Sequence, residues 1–383
     1  MSVDLTFETI GDADRFRALE DEWNDLWLRT RQRQFSHRHV WFRLGWETTG
    51  APRGRRMHVL VVRRQGRAVL IWPLTLRRRL LWWQARALGP EFTEYDAILV
   101  EDGDHAPALV AAARRHLAQT CPAGLIMVQH VRQGSSVAEA FAADPAVITG
   151  ETLASPYIDF AGYNGWDGYW QSRSKNTRNG YTRRWRKFAD LGTISFDQVT
   201  DPAEIRRLLA WTLEHKIAWM ERTGHDNDFM RTGEFAAFLE RVVAMDDAGG
   251  TMMLLAMRLD GRVVATKLGT LDALRYEGFI SSQDPEFGAY STGTIVMVES
   301  LKWLCERGLK YDFRIGDEAY KRDWATHDRP ATTYALLNRP AGRRLLQLDA
   351  AHLWRRQAVN ALREAVPEAW RSRIKAKLAN AAV

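Results

Sequence analysis

The stretch RIGDEAYKRDW, residues 314–324, sets carboxylates, a phenol, an ammonium and an indole within a few positions of one another. Asp317 can orient an attacking amine or take its proton. Tyr320 can return a proton to a departing anion, and Lys321 can neutralise charge developing on an oxyanion or phosphate. The plainer alternative is that Asp317 caps a turn, Lys321 is solvated, and Tyr320 and Trp324 pack. Glu277, in RYEGFIS, is the rival base, or else a charge on an exposed strand face; alternation does not say which side it meets. In LLAWTLEHKIAWMERTG, His215 shares a helical face with Leu208, Trp211 and Trp219 and reads as packed, whereas Lys216 points elsewhere and can reach an acceptor anion.

Two further stretches suit anions. Tyr290, Ser291, Thr292, Gly293 and Thr294 open a helix with small residues and hydroxyls, and the free amides of a helix N-terminus suit a phosphate; simple capping by Ser291 or Thr292 explains them as well. From Arg173 to Lys187 there are seven Lys/Arg and no acidic residue, a density that repels itself unless it is solvated or faces an anion. No His/Cys/carboxylate cluster has metal spacing and no nucleophile elbow is present, so neither a metal nor a covalent nucleophile is expected.

The elements that must position these groups follow from periodicity. Asp12 is a candidate N-cap for a helix through Phe16, Leu19, Trp23, Leu26 and Trp27, and a second helix covers 39–47. Strand-like runs flank Gln65-Gly66, TEYDAILV is a further strand, a helix spans 105–119, and GLIMVQHV closes the first half. The second half predicts helices over 166–190, 202–222 and 231–246, a meander with a hairpin at Asp260-Gly261, a helix over 292–307, and a closing buried strand, YDFRI. Residues just past that strand emerge at the sheet edge, where ligands bind in such folds. LVVRRQGRAVLIWPLTL (60–76) laid on LAMRLDGRVVATKLGTL (255–271) matches at Leu60/Leu255, Arg63/Arg258, Gly66/Gly261 and Val69/Val264 among others, which reads as an internal duplication.

A meander followed by a helix and a strand is also the core order of the GNAT acyltransferases. SRSKNTRNGYTRRWRKFADLG (172–192), FGAYSTGTIVMVESLKWLCERGLKYDF (287–313) and RIGDEAYKRDW (314–324) resemble the tandem-GNAT family of cellulose-biosynthesis CelD-type acetyltransferases, relatives of the Fem peptidoglycan aminoacyltransferases. LIWPLTL and LGPEFTEYDAILV extend the resemblance into the first half, over roughly residues 20–335. It implies an α/β fold of two tandem GNAT-like domains, each a mixed, mostly antiparallel sheet flanked by helices. It also implies acyl-CoA as donor, with its pyrophosphate at 290–294 although the full glycine-rich loop is absent, and an acceptor anion at Lys175, Arg178 and Arg183. Trp324 then lies against substrate. The expected activity is transfer to a primary amine of an envelope component, an amino sugar or a long-chain amine such as a sphingoid base. The alternatives are a Fem-like enzyme using aminoacyl-tRNA, for which no helical-arm insertion is apparent, and a non-catalytic component of polysaccharide machinery.

Composition bounds the rest. With 383 residues, two domains are expected, at 1–155 and 156–340, followed by a basic amphipathic helical tail, 341–383. That tail holds nine Lys/Arg against three Asp/Glu, nearly all of the formal +7, so the remainder is close to neutral and a nucleic-acid partner is not expected outside the tRNA alternative. Leu353, Trp354, Trp370 and Ile374 interleave with basic residues as in an interfacial helix that meets anionic lipid, or as in two helices packed on the protein. The acidic start and the lack of a long apolar run predict a cytoplasmic location, peripheral to the membrane at most, and the two cysteines predict neither a disulfide framework nor a metal site.

Overall fold

The hairpin signals are where the chain's architecture starts. Gln65-Gly66 and Asp260-Gly261 take positive φ at both residues (50° and 78°; 47° and 81°), the backbone of a type I′ turn, which matches the twist of antiparallel strands. The computed structural model describes residues 5–31, 33–79, 81–224, 227–245 and 251–348. In the first half, strand β1 (Leu5–Ile10) leads to helices α1 (Ala13–Ala18), α2 (Glu20–Arg29) and α3 (His39–Gly45). Strands β2 (Arg56–Arg64), β3 (Arg67–Arg79), β4 (Trp82–Ala87) and β5 (Leu99–Val100) follow. Then come α4 (Ala106–Thr120), β6 (Leu125–Arg132), α5 (Ser136–Ala142) and β7 (Val147–Leu153).

The second half begins with β8 (Pro156–Ile158), α6 (Gly165–Ser172), α7 (Lys175–Ala189), β9 (Ile194–Gln198), α8 (Pro202–Thr223) and α9 (Gly233–Val243). The meander β10 (Thr251–Leu259), β11 (Arg262–Leu271) and β12 (Arg275–Gln283) comes next, then α10 (Thr292–Cys305), β13 (Lys310–Asp312), α11 (Ala319–Trp324), β14 (His327–Asp328) and β15 (Ala331–Leu337). Two mixed sheets result, ordered β1-β2-β3-β4-β6-β15-β7 with β5 against β3, and β14-β8-β13-β12-β11-β10-β9.

The halves repeat one another beyond their turns. Both hairpins carry a register shift at the matching place, between Val62 and Arg63 and between Met257 and Arg258. Arg63 then pairs with Glu8 on β1 and Glu22 on α2, while Arg258 pairs with Asp197 on β9 and Glu204 on α8. The same half-buried arginine thus ties strand, hairpin and helix together in each half, which strengthens the duplication read from the sequence.

Each sheet is covered on both faces. In the first, α4 and α5 bury Trp72, Leu109, Val110 and Phe141 on one side, and α1–α3 bury Phe16, Trp23, Leu26 and Phe42 on the other. In the second, α8 and α9 with α3 pack on Leu254, Leu268 and Ile280, and α6, α7, α10 and α11 pack on Leu255, Tyr276 and Tyr311. The halves meet through Arg132, whose guanidinium pairs with Asp312 and lies 3.9 Å from the Tyr95 ring, and through Tyr95, whose hydroxyl donates to Asp312 Oδ1 at 3.1 Å.

Several expectations change. TEYDAILV is a strand only at Leu99–Val100, because Tyr95 and Asp96 are drawn into that interface. The helix expected over 166–190 breaks at Arg173, where Ser174 caps a new helix by accepting from Thr177 N at 3.1 Å. YDFRI stays in the sheet only to Asp312. Residues 331–337, inside the bounds expected for the second domain and not read as a strand, form β15, which pairs between β6 and β7 of the first sheet. Residues 341–348 are helical with Leu345 buried; the rest of the amphipathic tail lies outside the described residues.

Candidate active site

Strands β12 and β13 run parallel through only three pairs, Arg275–Lys310, Tyr276–Tyr311 and Glu277–Asp312, and then part. Two features force the parting. On β12, Leu268 opposes Ile280 while Gly269 opposes Gly278, so Phe279 is an extra, bulged residue that bends the strand. After β13 the chain turns out of the sheet at Arg314 (φ 62°) and Gly316 (φ 130°). From Gly278 onward, no strand among the described residues pairs with the outer edge of β12, so backbone donors and acceptors face the gap.

The gap is walled on the α10 side by two tyrosines. Tyr276 and Tyr311 are fully buried with ring centroids 5.7 Å apart, and burial raises both phenols well above the ordinary range. Glycine is needed at both positions they cross: a Cβ on Gly278 would stand 2.5 Å from the Tyr311 hydroxyl, and one on Gly269 would collide with the Tyr276 ring.

Three lysines from three elements converge beside them. Lys267, on β11, is buried with its Nζ 5.1 Å from the Tyr311 ring centroid; burial first, then repulsion from Lys216 and Lys321, pushes it down to about 7. Lys321, on α11, is buried, donates to the Ile315 carbonyl at 2.7 Å and pairs with Glu318 at 2.9 Å. Lys216, on α8, lies 4.0 Å from the Trp219 ring centroid and is lowered by burial, with Glu318 opposing. The sequence reading missed Lys267, although a lysine alternating inward in VVATKLGTL was a visible signal.

The anticipated residues are distributed unequally around this gap. Tyr320 and Lys321 sit beside it on α11; Tyr320 is half exposed, packs edge-on to Phe313 at 6.2 Å, and is pushed up to about 12 by partial burial with Glu318 adding. Asp317 turns away, its side chain 80% exposed and paired with Arg322 at 3.2 Å. Glu277 is buried on the sheet face that meets the first half, in a small cavity with Trp41, Tyr95, Phe279 and Arg314. Burial, reinforced by Asp312 and opposed by Arg275 and Arg132, pushes its carboxyl up to about 7, and its Oε1 has no hydrogen-bond partner.

Trp324 is core, 3% exposed and stacked on Trp170 at 6.0 Å. Lys175 and Arg183 are exposed on α7, and Arg178 bonds Gln171; Arg173 instead reaches the carbonyls of Trp324 and Ala325, fastening α7 to α11. At the start of α10, Gln283 Oε1 accepts from Gly293 N at 2.6 Å and from the buried Thr292 hydroxyl at 3.2 Å. Thr294 N donates to the Ser291 carbonyl at 2.9 Å, Ser291 stands at φ 56° without a side-chain cap, and Tyr290 packs on Phe188. An anion at that terminus would displace Gln283. Among the described residues no group of three or more His, Cys, Asp or Glu could hold a metal ion, and no helix is long and apolar enough to cross a membrane.

Residues 175–322 match the family model described as an acetyltransferase (GNAT) domain. No curated protein matches the chain. Among solved structures it is similar to FemX (TM-score 0.59, 12% identity, 89% of this chain and 99% of that one). It is also similar to a conserved protein of unknown function from Bacteroides thetaiotaomicron (0.54, 12%, 86% and 100%). A third is the C-terminal domain of a putative lysylphosphatidylglycerol synthetase from Agrobacterium fabrum (0.54, 12%, 88% and 96%). These likenesses extend over both halves and show the fold, two GNAT-like units in tandem. The matched domain holds the parted strands, so the chain carries a GNAT acetyltransferase domain and is an acyltransferase enzyme.

Proposed function

We propose that the chain transfers an acyl group from acyl-CoA to a primary amine of a cell-envelope component, as the resemblance to the CelD-type acetyltransferases implies. The observation that carries the reading is the early parting of β12 from β13 at a bulge, inside the matched domain. Such an edge lets an extended donor run alongside β12 with its thioester at Gly278–Phe279, between the tyrosine wall on one face and Glu277 on the other. The acceptor then enters from the side of the first half, where Phe92, Phe229, Phe235 and Phe279 line a cavity of about 230 Å³. Those rings suit the chain of a long-chain amine better than a bare sugar.

In this scheme the amine nitrogen attacks the thioester carbonyl and gives up a proton to Glu277, directly or through a water. The C–S bond then breaks, and the leaving thiolate takes a proton from Tyr320, whose phenol stays protonated at neutral pH, while Lys321 offsets the oxyanion. Asp317, facing solvent, is left with a role in holding Arg322. The basic segment after residue 340 supports peripheral contact with anionic lipid.

The test is CoA release from acetyl-CoA and long-chain acyl-CoA with amino sugars and long-chain amines as acceptors. The expected rate rises with pH through about 7 as Glu277 ionises, and Glu277→Gln lowers kcat by roughly 10²-fold or more and flattens that limb. Absence of acyl-CoA binding overturns the proposal, and transfer from aminoacyl-tRNA instead would assign the Fem-like chemistry. An unchanged Glu277→Gln profile moves the base elsewhere.

A further inference from the structure

At the other end of the three-pair ladder a second cavity, also about 230 Å³, opens between the halves. Arg31, Arg132, Arg275, Lys310 and Arg329 line it, with Asp312 the one carboxylate in its wall. These cations come from the loop after α2, the end of β6, the two parted strands and the segment before β15, so the chain gathers them only on folding. Part of their charge is met locally: Arg132 by Asp312, Lys310 by Asp159 at 2.6 Å, and Arg275 by Asp272 and Glu277 at 3.7 and 3.8 Å. Arg31 is exposed and has no ion pair among the described residues. The Nε atoms of Arg132 and Arg275 are buried without a hydrogen-bond partner, and burial together with Arg132 and Arg275 pushes the Arg329 guanidinium down. Five cations against a single carboxylate around one cavity make it complementary in charge to an anion.

We propose that this cavity binds a phosphate-bearing group, a diphosphate or phosphate ester, belonging to the acceptor. The assignment to the acceptor rests on the acyl-transfer reading; the anion site does not. The space is several times the roughly 30 Å³ that a water occupies, so it takes a diphosphate or an esterified phosphate rather than one small ion. It lies on the Glu277 side of the sheet, joined to that carboxylate through Arg275 and Asp312, so an anion held here fixes the acceptor while its amine reaches the parted strands.

Calorimetry of the full chain with inorganic pyrophosphate at low salt is the test. Binding is expected, and Arg31→Ala and Arg329→Ala should each weaken it by about tenfold or more, the loss of one charge-assisted contact, while acyl-CoA binding stays unchanged. Arg31→Ala alters an exposed side chain and keeps the measurement informative if Arg329→Ala does not fold. Competition by uridine diphosphate would identify a soluble phosphate ester, and competition by phosphatidic acid vesicles a lipid headgroup; competition by neither overturns the acceptor assignment. No pyrophosphate binding, or binding that both substitutions leave intact, overturns the site without touching the acyl-transfer reading. Pyrophosphate bound through these arginines by a chain that binds no acyl-CoA leaves the site standing and removes that reading. Displacement of pyrophosphate by acyl-CoA would give the cavity to the donor and overturn the assignment to the acceptor.

Discussion

Lys267 shows what burial does to one charge. Its ammonium has exchanged water for the face of a tyrosine ring and two neighbouring lysines, so its folded value of about 7 lies below the ordinary 10.5. Between those values the folded protein holds fewer protons than the unfolded chain, so stability from this group rises with pH from about 7 to about 10.5 and is lost below. Lys267→Met is therefore expected to raise Tm at pH 6 by about 3 °C or more and to lose that advantage by pH 10, as followed by thermal melts. A Tm gain independent of pH would mean that packing, not charge, is what the substitution changes. Which residues carry chemistry was only partly legible. Lys321 and Glu277 announced themselves as charges in or beside apolar strands, and both are buried near the gap. Asp317 looked equivalent in the sequence but faces water, because the direction in which a side chain leaves a turn is set by backbone angles such as φ 130° at Gly316.

At the scale of elements, the facing glycines of β11 and β12, Gly269 and Gly278, leave room for the rings of Tyr276 and Tyr311 to lie across the neighbouring strand. Gly278→Ala is expected to destabilise by about 1–3 kcal/mol, the usual cost of overpacking, and to reduce acyl-CoA turnover. Adding Tyr311→Phe removes the hydroxyl that the new methyl meets, so the double variant should recover much of the lost stability in denaturant melts. If it recovers none, the strain lies in the backbone rather than against the ring. Hairpins, capped helices and the meander were readable because turn chemistry and periodicity are local. Asp201, for instance, caps α8 by accepting from Glu204 N at 2.7 Å, with Pro202 in the first turn and Gly224 at φ 72° closing it. The bulge at Phe279 was not readable, since an extra residue in one strand is defined only by the register of its neighbour.

For the whole molecule, the long-range pairings matter most. Strand β15 separates β6 from β7, and β7 has no other strand partner among the described residues. A chain ending at residue 330 is thus expected to lose cooperative unfolding of the first half, read as broadened melts and exposed Trp fluorescence. An intact first half after truncation at 330 would show that β15 is an addition rather than a keystone. Nothing local in ATTYALL says which sheet it joins, and with three successive buried residues it has no alternation to mark it as a strand; the pairing with β6 and β7 decides its place.

The same strand has a consequence in time. On the ribosome, β6 is finished at Arg132 but its neighbour begins at Ala331, 199 residues later (331 − 132), which at about 5–20 residues per second is a wait of roughly 10–40 s. For that interval Leu125, Ile126 and Val128 sit in a strand whose edge is uncovered, so nascent chains must be kept from pairing with one another. The late return of β15 makes completion of the first sheet wait until the second half has been made, rather than letting the two halves fold in turn.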